Sequence, residues 1–363
     1  MESPKFVLSA SPHLHDKSST SSIMWDVSIA LTPAALWGVY LFGWRALLLL
    51  AVSIATSMVV EYLLNLRRGG GTLIDGSAFL TGLLIGMNFS VDTALVVPII
   101  ASAFAIFVIK WSFGGLGANW VNPALGGRVF VFFSFTGLMN TYRLPRTLKV
   151  ADALSSASFL TEMKVLIGEG TVAGLKSPSI LASINYPYTQ FAAKVSGALT
   201  KVFKIGPSPY TVDAFFGNMA GTIGEVSVFL LLIGAIYLLV KKIITWHIPV
   251  SFIGTFSLLA WVFGGLRNGL GFFQGDFVLQ VFSGGIILGA FFMATDMVTS
   301  PITKKGMIIF GVGVGFFTFL LRYYGSLPES VSLAIILMNI FVPTIDRFIK
   351  VKPFGEVVKE AQR

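Results

Sequence analysis

Residues 23–64 read IMWDVSIALTPAALWGVYLFGWRALLLLAVSIATSMVVEYLL, two apolar runs (23–42 and 44–64) divided by the single glycine Gly43. Each run is close to the ~20 residues that cross a bilayer's hydrocarbon core as a helix. The stretch before Ile23 is polar and serine-rich and has no small-residue cleavage site, so the first run reads as a membrane helix and not as a signal peptide.

Working outward, the same pattern recurs along the whole chain. Of the 363 residues 55% are hydrophobic and only 12% charged, with a mean hydropathy of +0.81. A soluble domain is about a quarter charged, so this composition requires a surface that faces lipid. Apolar runs predict five helices at approximately 23–42, 44–64, 77–90, 94–112 and 121–139. Five more are predicted at approximately 224–241, 247–264, 277–295, 306–322 and 329–346. The run at 77–90 is short for a full span and reads as a broken or re-entrant helix. The expected organisation is an N-terminal segment 1–22, a membrane half 23–139, an external domain 140–222, a second membrane half 223–346 and a tail 347–363. The fold class is thus an all-α polytopic membrane protein of about ten transmembrane helices. The interval 140–222 is rich in lysine and proline and has no long apolar run, too long for a bare connection.

The net charge of +9 does not imply nucleic acid, because the basic residues sit in loops between apolar runs. Arg67, Arg68, Lys110, Lys241, Lys242, Lys304 and Lys305 fall on the side of the termini, against Arg45, Arg267 and Arg322 opposite. The positive-inside rule then predicts cytoplasmic termini, with the 140–222 domain outside.

The two halves echo each other. Asp26-Val27-Ser28 matches Glu225-Val226-Ser227; Gly82–Asn88 (GLLIGMN) matches Gly289–Asp296 (GAFFMATD); and Asn119-x-x-x-Pro123 matches Asn339-x-x-x-Pro343. Five helices per copy would invert the second copy in the membrane, and such inverted repeats hold ligand or ion sites near the midplane.

Chemistry-bearing residues are few. With no cysteine and three scattered histidines, the chain offers neither a thiolate cluster nor a haem or metal cage. Asp26, Glu61, Asp75, Glu225, Asp296 and Asp346 lie in or at the ends of apolar runs, where an ionisable group is a functional candidate. Glu225 and Asp296, at matching ends of repeat-like segments, lead as ion-pathway residues. Asp26 and Asp346 join them, although near helix ends they read equally as caps or ion pairs. The run Gly114–Pro123 (GGLGANWVNP) allows close backbone approach and supplies amide groups. No phosphate-binding glycine motif of the nucleotide folds is present. On these features alone, an inverted-repeat channel or solute transporter without redox role and a structural membrane anchor remain open beside a redox pump.

In the external interval, Asp152-Ala153-Leu154-Ser155-Ser156-Ala157-Ser158 resembles the flavinylation signal of bacterial respiratory pumps. Together with Asp75–Gly82, Gly114–Pro123, Gly221–Ser227, Phe291–Pro301 and Asn339–Arg347, it makes nearly the whole chain similar to the RnfD/NqrB family. That family comprises RnfD of the Rnf ion-translocating ferredoxin:NAD⁺ oxidoreductase and NqrB of the Na⁺-pumping NADH:quinone reductase. The resemblance implies FMN attached through its phosphate to Ser158 by a flavin transferase, with Asp152, Ser155 and Ala157 as the signal. Serine replaces the family's usual threonine at 158, and Ser156 its usual glycine; a serine hydroxyl forms the same phosphoester. The resemblance also implies a non-covalent riboflavin among the helices, Na⁺ or H⁺ translocation, other Rnf subunits as partners, and residence in the bacterial inner membrane.

Overall fold

The computed structural model describes residues 19–68, 72–139, 141–148, 155–156, 159–168, 170, 172, 174–204, 206–325 and 330–349. Asp152, Ala157 and Ser158 lie outside the described residues.

Helix α1 (Thr20–Phe42) starts where the Ser19 hydroxyl accepts the Ser22 N–H at 3.1 Å and stops at Gly43, whose φ of +83° breaks the helix. Helix α2 (Trp44–Arg68) follows at once, antiparallel. Both put apolar side chains on the outside: Leu36 is 62% and Leu66 64% exposed. Patches of this kind mark a surface made for lipid. Helices α1, α2, α12 (His247–Phe263), α15 (Lys304–Tyr323) and α16 (Val331–Phe348) are long and apolar enough to cross a membrane. This is a multi-pass membrane protein. Its largest core cluster joins both halves, from Leu31 and Ile85 to Phe252 and Ile335.

The other expected spans are shorter. Helix α3 (Ser77–Met87) rises only about 16 Å over its 11 residues, roughly half of a ~30 Å hydrocarbon core. Helix α4 (Val96–Phe104) continues through a π-helical stretch, Ala105–Trp111. Helix α5 runs Pro123–Ser134, with a further single turn α6 (Thr136–Met139). Helix α11 (Val228–Val240) begins later than the apolar run does. The cause is that 222–225 runs irregularly against the end of α3, with Ile223 N–H donating to Phe89 O (3.0 Å) and Gly224 N–H to Met87 O (2.7 Å).

The run at 277–295, expected as one helix, is two. Helix α13 (Phe277–Val281) ends before Gly284 and Gly285, both left-handed (φ +67° and +69°). The chain then resumes as α14 (Ile286–Leu288) and a π-helical stretch, Gly289–Met293. Two consecutive residues with positive φ cannot continue a right-handed helix, a restriction that a count of apolar residues does not register.

Between the halves, strands β1 (Tyr142–Arg143) and β2 (Ser155–Ser156) pair antiparallel, Tyr142 opposite Ser156. Helices α7 (Phe159–Gly168), α8 (Ser177–Ser183), α9 (Gln190–Phe203) and α10 (Pro209–Phe216) follow. Their small core of Leu160, Met163, Ile180, Leu181 and Tyr210 also takes in Leu279 of α13, so this region is seated on the second half. The face next to it is the domain side, and the face where α1 begins and α16 ends is the terminal side.

Candidate functional site

The two leading candidates from the sequence, Glu225 and Asp296, fall into separate places. On the domain side, Glu225 follows the irregular segment that caps α3. Its Oε1 accepts the Gly284 N–H at 3.0 Å and its Oε2 the Thr222 hydroxyl at 2.9 Å. The helix break thus supplies the donor, since Gly284 N–H is released from helical bonding there. The same break exposes carbonyls, and Arg322 takes them up: its guanidinium donates to Gln280 O (2.7 Å), Ser283 O (3.2 Å) and Gly284 O (2.8 Å). A cation on a helix C-terminus also meets the negative end of the dipole. Arg128, likewise buried, donates to the Ser332 hydroxyl at 2.5 Å, and its charge acts on Glu225. Tyr142 in β1 is buried, and that burial, with Glu225's negative charge second, pushes its phenol well above the usual range.

The described flanks of Ser158 converge on this carboxylate. Upstream, Ser156 pairs with Tyr142, which lies in the field of Glu225. Downstream, Leu160 lines the same small cavity as Glu225, Gly221 and Gly284.

On the terminal side is a larger cavity of about 350 Å³. Ile23, Met24, Val27, Leu80 and Leu84 give it apolar walls, and Asn119, Asn122, Thr81, Lys110 and Asp296 give it polar points. The two π-helical stretches border it through Lys110 and through Phe291 and Phe292; π-helical turns recur at functional sites because they redirect side chains. Asp296 is half-buried, and its hydrogen bonds stay within its own turn, from Val298 N–H (3.4 Å) and the Thr299 hydroxyl (3.0 Å). Behind this cavity the two echoed segments meet, through Asn122 just before Pro123 in the first and Asn339 in the second. The first motif's own Asn119 instead donates to Val121 O (3.0 Å). Asn122 caps α5 through Ala124 N–H (3.0 Å) and donates to Met293 O (3.3 Å). With its amide turned so that both atoms are satisfied, Asn339 donates to Thr299 O (3.1 Å) and Ile335 O (3.2 Å) and accepts from Asn122 N–H (3.3 Å).

Beside the cavity lies a cluster that sequence reading did not assemble. Glu61 (0% exposed) accepts from Lys110 Nζ (2.9 Å), Thr72 Oγ1 (2.6 Å) and Trp111 Nε1 (2.7 Å), and Lys110 also reaches Ser77 Oγ at 2.7 Å. Lys110 and Arg322 were counted as loop charges; both are buried. The signal for Lys110 was available, in a carboxylate near the terminal-side end of the second helix that needed a cation. Without those two residues the loop bias still holds, with Arg67, Arg68, Lys241, Lys242, Lys304 and Lys305 against Arg45 and Arg267.

Asp26 stands apart, held by Lys241 Nζ and Tyr237 OH, both at 2.8 Å. Asp346 is in the last turns of α16, and its Oδ1 has no partner among the described residues. Among the described residues no group of three or more metal-ligating side chains occurs.

A bundle of membrane helices with a short helix α3, a break at Gly284–Gly285 and polar residues at both places is of the kind found in membrane transport proteins. Its sequence matches the NQR2, RnfD, RnfE family over residues 7–355, and the chain belongs to that family. It is 41% identical over 351 residues, 96% of both chains, to the D-subunit of the proton-translocating ferredoxin:NAD(+) oxidoreductase complex of Clostridium ljungdahlii. It is 36% identical over 368 residues, the full length of both, to the D-subunit of the Na(+)-translocating ferredoxin:NAD(+) oxidoreductase complex of Acetobacterium woodii. It is also 35% identical over 346 residues, 93% of both, to the D-subunit of the ion-translocating oxidoreductase complex of Stutzerimonas stutzeri.

Proposed function

We propose that this chain is the flavin-carrying membrane subunit of an Rnf-type redox-driven pump, with FMN joined to Ser158 and Na⁺ or H⁺ as the ion moved. The observation that carries the reading is the position of the flanks of Ser158. Tyr142, paired with Ser156, feels the charge of Glu225, and Leu160 lines the same small cavity as Glu225. A flavin attached between them would change charge next to a carboxylate set in the membrane half. Flavin supplies the capacity to pass electrons singly or in pairs.

The chain's own residues would do the rest. Arg128 and Arg322 hold positive charge beside the junction, and Glu225 holds the counter-charge on Gly284. The terminal-side cavity fits a second, non-covalent flavin of the riboflavin kind. Its volume is within the ~300–1,000 Å³ of small-molecule sites, its walls are apolar, and Asn119, Asn122 and Thr81 offer hydrogen bonds at its edges. Asp296, open to that cavity, would bind and release the ion. Ten spans in two inverted five-helix repeats, cytoplasmic termini and an external domain complete the proposal. The other subunits of the complex would supply the nicotinamide and iron–sulfur chemistry, for which this chain has no cysteine.

The test is in-gel flavin fluorescence of the denatured chain, made with a competent flavin transferase, beside Ser158→Ala. We expect fluorescence in the wild type and none in the variant. A wild-type chain without covalent flavin would return the inverted-repeat channel or transporter to the front.

A further inference from the structure

Between the domain and the second membrane half lies a cleft that adjoins the Glu225 junction through Leu160 and Arg322 and is otherwise built of residues the proposed path does not use. Helix α7 supplies Leu160 and Lys164, the start of α8 Lys176, the turn after α12 Arg267 and Asp276, and the end of α15 Arg322. Among the described residues the cleft is thus lined by four cations and one carboxylate, and Asp276 is already engaged in capping α13 through Leu279 N–H (3.4 Å). Glu225 offsets Arg322 from the far side of the helix break.

The charges are held there by backbone. Arg267 donates to the Tyr323 carbonyl. A Cβ at Gly275 would stand 1.8 Å from Ala260 O, so only glycine lets the turn lie flat on α12 with Arg267 and Asp276 on one wall. Arg322 is 5% exposed, and its Nε has no hydrogen-bond partner among the described residues. A buried donor in that condition costs stability unless something accepts from it. Lys164 feels the crowding: burial first, then the charges of Arg267 and Arg322, bring its ammonium down to about 8.

We propose that this cleft binds the phosphate oxyanion of a phosphate ester on the domain side. An oxyanion would give Lys176, Arg267 and the orphaned Arg322 Nε a common counter-charge, and its bonds to guanidinium and ammonium groups are the stronger, charge-assisted kind. There is room for the group: the cleft holds about 50 Å³, and one water takes on the order of 10–15 Å³ of such space. Two sources share this chemistry: the phosphate of a flavin joined to Ser158, two residues before Leu160, or the headgroup of a phospholipid in the adjoining leaflet. The first source rests on the function proposed above; the cleft itself does not.

The experiment compares wild type, Ser158→Ala and the double variant Lys176→Gln/Arg267→Gln in the purified complex. Lys176 and Arg267 are exposed, so their loss should leave the fold intact, whereas Arg322 also holds the helix break and is left in place. The readout is the pH dependence of amine labelling at Lys164, resolved by peptide mass spectrometry, with and without inorganic phosphate. A bound oxyanion should raise the labelling midpoint above about 8, and the double variant should lose that response while Lys176→Arg keeps it. A midpoint already raised in wild type, but raised in Ser158→Ala only by added phosphate, identifies the flavin's phosphate. A midpoint raised in both until delipidation, with a phospholipid retained in native mass spectrometry and lost from the double variant, identifies the headgroup. Lack of covalent flavin in wild type removes the first source alone, since added phosphate still interrogates the cleft. If Lys164 responds to phosphate in none of these forms and no lipid is retained, the proposal is overturned.

Discussion

Glu225 and Asp296 both belong to the second membrane half, yet their surroundings differ in kind. Glu225 is tied to another element: its oxygens hold Gly284 N–H and Thr222, and the break that frees Gly284 is itself held by Arg322. Asp296 bonds only within its own turn and borders a cavity. The first carboxylate is part of how the helices are joined, while the second can change partners without disturbing a neighbouring helix. A carboxylate in a membrane protein is a candidate for function by default, but what its oxygens already hold decides how free it is to act.

This contrast can be challenged at four points. The greatest effect is expected beside the cavity. Glu61→Gln strands the buried Lys110 ammonium and should destabilise the protein by ~3–5 kcal/mol, read from thermal unfolding in detergent, while Glu61→Gln/Lys110→Met should recover most of the loss. A single variant as stable as wild type would mean that the pair is not closed to water. Next, Arg322→Gln removes charged donors from three carbonyls and should cost about 1.5–3 kcal/mol, with faster hydrogen exchange confined to 277–293. Exchange unchanged there would show that the glycines hold the break unaided. Asp296→Asn should leave folding and covalent flavin untouched but slow ion movement in reconstituted vesicles about tenfold, equivalent to ~1.4 kcal/mol. Undiminished ion movement would exclude Asp296 from the path. Asp26→Asn, which removes a half-exposed pair with Lys241, should alter neither ion movement nor flavin content; a clear loss of transport would restore Asp26 to the ion path.

The difference between these regions also marks how far the sequence could be read. Apolar runs located a helical segment at each of the ten expected places, because lipid burial depends on composition summed over many residues. The short third run, 77–90, was recognisable from its length. The break at Gly284 was not, since a glycine pair in an apolar run looks the same whether it packs against a neighbouring helix or turns left-handed. Lys110 and Arg322 were misread because charge counting assumes that a cation near a helix end is in water. The ligands that buried them, Glu61 and the carbonyls of 280–284, come from elsewhere in the chain. The repeated Asn-x-x-x-Pro motif was legible as an echo; that Asn339 would meet Asn122, a variable position of the first motif, and not Asn119 required the packing of both halves.

Helix α3 is long enough for only about half of a ~30 Å hydrocarbon layer, and the cavity on the terminal side reaches the residues around its first turns. Where water or a polar ligand fills part of a membrane's thickness, the transmembrane voltage drops across what remains. Moving one charge through a full membrane at 100 mV involves ~2.3 kcal/mol. With the field compressed into the protein between Asp296 and Glu225, most of that work would be done over a short displacement there. A small shift of charge in that layer could thus couple to nearly the whole membrane potential.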